Sequence, residues 1–168
     1  MYSGKNFEDD FRNSFRETQL PLLTRLYDTT NGFAGVKNPC DFIVYNSPYQ
    51  MMLELKVTHS DRLPFDSVTV YQQQQLTARD KIEGIMAGLL ICYYNQQRVF
   101  FVPMTVANKI RAQGPKSLHF EDAERYGIEV SISMKRVRFT VDIDKLLADC
   151  RKYRYDFDVT EVVKRGKA

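Results

Sequence analysis

Two apolar segments joined by a short polar turn constrain the fold of this chain more than any other feature. Residues 39–45 and 52–57 have the composition of β-strands, and the Asn-Ser-Pro run at 46–48 has that of a turn. The sequence therefore predicts a β-hairpin. Because side chains alternate across a strand, Glu54 and Lys56 share one face of the second arm, while the apolar residues beside them occupy the other face.

The hairpin places charged side chains on both of its arms. Asp41 lies on the first arm, opposite the arm that carries Glu54 and Lys56. Glu8, on a predicted first helix, can approach the same cluster. Three converging carboxylates repel each other unless a cation lies between them, and hard oxygen ligands suit magnesium or manganese. A Glu-x-Lys pair alone is a weak signal, but with Asp41 on the neighbouring arm it is typical of a metal-dependent nuclease.

The rest of the chain predicts further helices and strands around this hairpin. Residues 22–27 read as a continuation of the first helix, residues 58–64 as a loop, and Ser67 and Gly84 as the start and end signals of another helix. The order of elements predicts an α/β fold, with a mixed β-sheet flanked by helices. The predicted helices cover residues 5–19, 67–83, 105–113, 121–126 and 144–150, and the further strands cover 85–93, 99–103 and 136–141.

Length and composition narrow the class of protein. The 168 residues fit one domain with a sizeable core, and we expect a single domain over 1–168 with residues 155–168 as a tail. No apolar segment approaches the ~20 residues of a membrane span. The three cysteines are far apart in apolar stretches, which predicts reduced thiols and a cytoplasmic location. The net charge of +3 does not by itself indicate nucleic acid as a partner.

The chain resembles the PD-(D/E)xK nucleases and, among them, the RecU-type Holliday junction resolvases of Gram-positive bacteria and their phages. The resemblance implies a restriction-endonuclease-like fold, a two-fold homodimer, and hydrolysis of four-way DNA junctions in recombination and repair with Mg²⁺, for which Mn²⁺ substitutes. It rests on the order and spacing of short motifs at residues 4–10, 41, 54–58, 63–65 and 83–85, with weaker matches at 114–118 and 135–139.

The resemblance also implies a role for each residue of the site. Asp41 and Glu54 would hold the metal with the backbone carbonyl of Leu55, and Lys56 would orient or help to deprotonate the attacking water. Glu8 would complete the acidic cluster, directly or through water. Gln72 would position a water or a phosphate, with Gln73 and Gln75 as the fallback choices in the glutamine run.

Two departures from the family bear on DNA recognition. Pro39 and Cys40 precede Asp41 where the family has small hydroxyl residues. Residues 26–37 are also far shorter than the family segment that forms a stalk entering the junction centre, so junction selectivity is weaker or comes from elsewhere, unless Lys37 and the loop at 31–35 form a vestigial stalk. The candidate DNA contacts are Lys37, Thr58, Arg62, Lys116, Arg136 and Arg138.

Two alternatives remain open from the sequence. One is a related nuclease that acts on forks, flaps or duplex DNA, and the other is a DNA-binding protein whose nuclease site is idle. A small-molecule enzyme has no support, because the chain has no Gly-rich phosphate loop, dinucleotide motif or nucleophile elbow.

Overall fold

The computed structural model describes residues 1–15, 22–27 and 37–156, with side chains described as far as residue 153. Within these ranges the helices are α1 (Gly4–Ser14), α2 (Val70–Asp80), α3 (Met104–Ala112), α4 (Phe120–Tyr126) and α5 (Ile143–Asp156). The strands are β1 (Leu22–Arg25), β2 (Phe42–Asn46), β3 (Tyr49–Thr58), β4 (Arg62–Pro64), β5 (Ile85–Tyr93), β6 (Arg98–Pro103), β7 (Ser117–His119), β8 (Ile128–Val130), β9 (Ile132–Lys135) and β10 (Arg138–Val141). Short 3-10 turns cover Phe65–Ser67 and Tyr94–Gln96.

Six strands form one mixed sheet, in the order β1-β2-β3-β5-β6-β8. Only β3 and β5 run parallel among these neighbours, and the other pairs are antiparallel. Helices cover both faces, so the predicted α/β architecture of a mixed sheet flanked by helices is confirmed. The ten-residue strand β3 is central, since it pairs with β2 along one edge and with β5 along the other.

The sheet separates two apolar cores, and β3 supplies side chains to both. Leu53 and Leu55 pack into the core beneath α1 and α5, together with Phe7 and Phe11 of α1. Met52 packs into the opposite core, beneath α2, α3 and α4. Because the side chains alternate, Glu54 lies on the same face as Met52, under α2.

The predicted hairpin is formed by β2 and β3. Phe42 pairs with Leu53 and Asn46 with Tyr49, which leaves a two-residue turn at 47–48. The sequence predicted Asp41 within the first strand, but in the structure Asp41 directly precedes β2. Its N–H still donates to the carbonyl of Leu53 at 3.0 Å, so Asp41 remains hydrogen-bonded to β3.

Several elements differ from the sequence-based prediction. Residues 22–25 form strand β1, which pairs antiparallel with β2, where a helix was predicted. The helix α2 begins after Thr69, whose hydroxyl accepts from the N–H of Gln72, so Thr69 and not Ser67 is its cap. Residues 62–64 pair with β7 as strand β4, in a segment predicted to be a loop.

The end of the first predicted helix at 15–19, the loop at 31–35 and the tail from residue 157 fall on or beyond the limits of the described residues. Within the described part of the chain, no helix is long and apolar enough to cross a membrane. The cysteines Cys40, Cys92 and Cys150 are free and buried, as predicted.

Candidate active site

Asp41 lies beside Glu54, just before the beginning of β2. Its N–H donates to the carbonyl of Leu53 at 3.0 Å, and its Oδ2 accepts from the N–H of Leu55 at 2.7 Å, so Asp41 is hydrogen-bonded to the residues on both sides of Glu54. The charge of Asp41 also raises the pKa of the Glu54 carboxyl group. The pairing of the two arms therefore brings the two carboxylates together, as the sequence predicted.

The Glu54 carboxyl group is buried and only half satisfied. Its side chain is 2% exposed, and Oε1 accepts a hydrogen bond from Nζ of Lys56 at 2.8 Å. Oε2 is buried without a hydrogen-bond partner among the described residues. Burial, followed by the charge on Asp41, raises the pKa of Glu54 to about 7, against the opposing influence of Lys56. The protein alone therefore stabilises the Glu54 anion poorly.

The backbone of Leu55 belongs to the same cluster. Its N–H donates to Oδ2 of Asp41 at 2.7 Å. A strand residue directs its N–H and its C=O to the same edge, so the carbonyl of Leu55 also points toward the side of β3 on which Asp41 lies. Asp41 is thus fixed beside a main-chain oxygen as well as a second carboxylate.

Gln72 differs from the other glutamines of its run in lying beside Glu54, where its side chain slightly lowers the pKa of that carboxyl group. Its Oε1 turns back to accept from the N–H of Thr69 at 3.1 Å, which fixes the side chain in the first turn of α2. Gln73 donates to the carbonyl of Val68 at 2.8 Å, and Gln75 accepts from Arg79. The two fallback glutamines are therefore engaged elsewhere.

Glu8 reaches the edge of the cluster from α1. Burial and then the charge on Asp41 raise its pKa, whereas Arg25 and Lys56 lower it, so Glu8 lies within electrostatic reach of the site. Its carboxylate forms an ion pair with the guanidinium of Arg25 on β1. Glu8 thus approaches the cluster from α1, but an arginine already neutralises its charge.

Arg25 is the residue that sequence reasoning missed. Its guanidinium lies 5.8 Å from the ring centroid of Phe42 and also stacks on Tyr27, so it is held against the start of β2. Because residues 22–27 were predicted to be helical, the prediction did not direct Arg25 toward the carboxylates. The β-branched Thr24 and the alternation around it were the available signals for a strand.

The oxygen atoms of this cluster fit a divalent cation. Carboxylates of Asp41 and Glu54, with the carbonyl of Leu55, form the hard donor set that Mg²⁺ prefers. The unpartnered Oε2 and the raised pKa of Glu54 are the two features that a cation would relieve. No three Asp, Glu, His or Cys side chains among the described residues could hold a metal by themselves. That Glu8 completes the acidic cluster, directly or through water, stays a prediction.

The predicted DNA contacts fall into two groups. The exposed ones are Lys37, Arg62, Lys116 and Arg136. Thr58 is buried, and its hydroxyl donates to the carbonyl of Arg62 at 2.8 Å. Thr58 therefore shapes the turn after β3, and a contact of its hydroxyl with a phosphate stays a prediction. Arg138 binds the buried carboxylate of Asp10 at 2.6 Å, yet its side chain remains 43% exposed.

Comparison with known proteins identifies the family to which the chain belongs. The family model described as Recombination protein U matches residues 19–145, which include the whole hairpin but begin after α1 and Glu8. Among solved structures, the chain is similar to Hjc, a Holliday junction resolvase from the archaeal hyperthermophile Archaeoglobus fulgidus, with 17% identity and a TM-score of 0.44. That match covers 64% of this chain and 80% of the archaeal one. No curated protein matches the chain. Because the family model spans most of its length, the chain belongs to the Recombination protein U (RecU) family.

Proposed function

We propose that this protein is a divalent-metal-dependent endonuclease that resolves four-way DNA junctions. The observation that carries the proposal is the pairing of half-buried Asp41 with buried Glu54, and the hydrogen bond of 2.8 Å from Lys56 to Glu54. The chain belongs to a family of recombination proteins, and this membership supports branched DNA as the class of substrate. The proposed cofactor is Mg²⁺, with Mn²⁺ as a substitute.

Asp41, Glu54 and the carbonyl of Leu55 would hold the metal. When bound, the ion supplies a water of lowered pKa and a Lewis acid for the phosphoryl oxygens. Lys56 places a positive charge on the same face of β3, and this charge counts for more in a site that is largely removed from water. Its ammonium group would orient the attacking water and stabilise the charge that develops on the phosphate.

Glu8 and Gln72 would act around this centre. Gln72 is held by Thr69, so its amide group would position a water or a phosphate oxygen beside Glu54. Glu8 would contribute through water, because Arg25 already neutralises its carboxylate. We further propose a two-fold homodimer in the cytoplasm, since a single hydrolytic site cuts one strand and resolution needs two opposed cuts.

Cleavage of a labelled immobile four-way junction beside a linear duplex of the same sequence tests the proposal. We expect paired symmetric nicks in the junction only, which require Mg²⁺ or Mn²⁺ and disappear in Asp41→Asn. Asp66→Asn is the matched control, because Asp66 is an exposed aspartate in the 3-10 turn that follows β4.

Two other outcomes of this experiment would contradict part of the proposal. Equal cutting of the duplex would retain the nuclease chemistry and exclude junction selectivity. Junction binding without metal-dependent cutting would contradict the endonuclease and favour the DNA-binding protein with an idle site.

A further inference from the structure

A groove with a volume of about 470 Å³ opens beyond the C-terminal end of β3, where His59 follows the strand. This volume lies within the range of roughly 300–1,000 Å³ that is typical of small-ligand sites. We call it the His59 groove, and its lining includes Tyr2, Asn6, His59, Tyr94, Val137 and Arg138.

One wall of the His59 groove is aromatic and held in place. The ring of Tyr94 stacks on that of Tyr2 at a centroid distance of 4.7 Å, and the His59 ring lies 5.0 Å from Tyr94. The Nε2 atom of His59 is 2.8 Å from the carbonyl oxygen of Tyr2, and the side chain of Asn95 donates to the carbonyl of His59. The wall is therefore preorganised, with His59 and Tyr94 left half-buried at the groove.

The lining of the groove is also basic. The ion pair with Asp10 fixes the guanidinium of Arg138 at the groove, where its side chain is 43% exposed. Nearby, Lys135 ends β9 and Arg136 lies in the turn before β10; both are exposed, as is Val137 of the lining, at 59%. Aromatic rings beside a guanidinium group suit a base attached to a phosphate, rather than an apolar ligand.

The groove and the carboxylate site are joined by two elements. His59 follows Lys56, the residue of the site nearest to it in the chain, by three residues, which corresponds to about 10 Å along an extended chain. On α1, Asn6 lines the groove, and Glu8 lies within electrostatic reach of Asp41 two residues later. Since stacked duplex DNA rises about 3.4 Å per nucleotide along a strand, the distance corresponds to two or three nucleotides.

We propose that the His59 groove binds an unstacked nucleotide of the branched DNA, two or three positions from the cleaved phosphate. The inference rests on the proposed function and extends it to substrate selection. A linear duplex keeps its bases stacked, whereas a branch point offers bases that leave the stack at lower cost. Such contact would favour junctions over duplex without requiring a long stalk.

Photocrosslinking tests this placement in the wild-type protein. Single 5-iododeoxyuridines are introduced one to six nucleotides from the cleavage position of a four-way junction and of a matched linear duplex, in EDTA so that no strand is cut. We expect crosslinks from one or two adjacent positions in the junction, at peptides containing His59, Tyr94 or residues 135–138, and none there from the duplex. Crosslinks of equal yield from the duplex, or at other peptides, would overturn the proposal.

A pair of substitutions provides a second test. Val137→Glu places a carboxylate in the groove, whereas Ile82→Glu makes the same kind of change at a residue that is 50% exposed in the turn before β5, at the other end of the parallel strands. We expect Val137→Glu to weaken junction binding about tenfold with little effect on duplex binding, in line with the cost of losing a base–aromatic contact, and Ile82→Glu to leave both unchanged.

Equal junction affinities for the two variants, with melting temperatures showing that both are folded, would contradict the groove. The groove inference and the proposed nuclease function can be refuted independently of each other. Loss of groove crosslinks in a protein that still cuts junctions removes only this inference, whereas groove crosslinks in a protein that cuts no DNA remove only the proposed nuclease.

Discussion

At the scale of single residues, Glu54 stands out, because its proposed role as a metal ligand conflicts with the requirements of the fold. The residue is buried beneath α2, one of its oxygens has no hydrogen-bond partner among the described residues, and its pKa is raised to about 7. Burial of a carboxylate without full compensation destabilises the folded state. Lys56 alone does not offset this cost, so a divalent cation beside Glu54 would stabilise its anionic form further.

This conflict predicts how stability depends on pH in the metal-free protein. The pKa of Glu54 rises from an ordinary value of 4.5 to about 7, so the folded state binds the proton more tightly than the unfolded state does. The resulting stabilisation is fully present below pH 4.5 and is lost as the pH rises through 7. Glu54→Gln should remove this pH dependence and increase the free energy of unfolding above pH 7. Urea denaturation in EDTA across this pH range measures both effects.

Glu83→Gln is the control for this prediction, because Glu83 is an exposed glutamate between α2 and β5. If Glu54→Gln and Glu83→Gln follow the same pH profile, the raised pKa of Glu54 is refuted.

The Arg25–Glu8 pair leads to a second prediction at this scale. Arg25 lowers the pKa of Glu8, so Arg25→Gln leaves a half-buried carboxylate uncompensated next to Asp41. We expect junction cleavage to fall about tenfold, and the double variant Glu8→Gln/Arg25→Gln to lose less than the sum of the two single changes, as coupled neighbours do. A double-mutant cycle on cleavage rates measures the coupling. Strict additivity would show that the two residues act independently.

At the scale of elements, the first turn of α2 links local sequence to the site. Thr69 and Gln72 form a capping box in which each side chain accepts from the backbone N–H of the other residue. This arrangement explains why Gln72, rather than its neighbours in the glutamine run, is turned toward Glu54. The cap therefore serves both helix stability and the position of a candidate site residue.

Thr69→Ala should accordingly cost about 1 kcal/mol of stability and also reduce the rate of cleavage, because the Gln72 side chain loses its anchor. Ser67→Ala, which removes the cap that the sequence predicted, should cost less and leave cleavage unchanged, since Ser67 donates only to the carbonyl of Pro64. Denaturation midpoints and cleavage rates of the two variants decide between the two caps. A larger effect of Ser67→Ala on both would contradict the structure.

The sequence was most informative where a pattern was local. The strand at 85–93 and the hairpin turn at 47–48 follow from continuous apolar runs and turn residues, and both were predicted. The prediction missed five short strands, namely β1, β4, β7, β8 and β9. Each has three or four residues, too few for periodicity to show, and β1, β4 and β7 also depend on partners distant in sequence. The Asp41–Glu54 pair was predictable from the hairpin, whereas the Glu8–Arg25 pair depends on tertiary packing of α1 against β1.

At the scale of the whole molecule, the proposed dimer gives the sharpest prediction. If two opposed sites cut the two strands independently, mixing wild-type and Asp41→Asn subunits should yield heterodimers that nick one strand only. The fraction of singly nicked junctions should rise as the inactive subunit is added, while paired cuts fall faster than total cutting. Quantifying singly and doubly nicked products on a circular cruciform substrate measures both.

Mixing with Asp66→Asn subunits is the control and should leave paired cutting unchanged. Paired cuts that fall only in proportion to the wild-type subunit would indicate that each cutting unit does not contain two exchangeable sites.

The half-satisfied carboxyl group of Glu54 also has an evolutionary consequence. A neutral side chain of similar size at this position relieves an unfavourable burial, so drift toward higher folding stability favours loss of the site. Folding stability therefore does not favour Glu54, and selection for DNA cleavage would be needed to retain it. Under the proposed function, a divalent metal that binds only the native state would oppose this preference, by an amount that grows with the logarithm of its concentration. The proposed magnesium site would therefore make the retention of this glutamate depend on the metal supply of the cell.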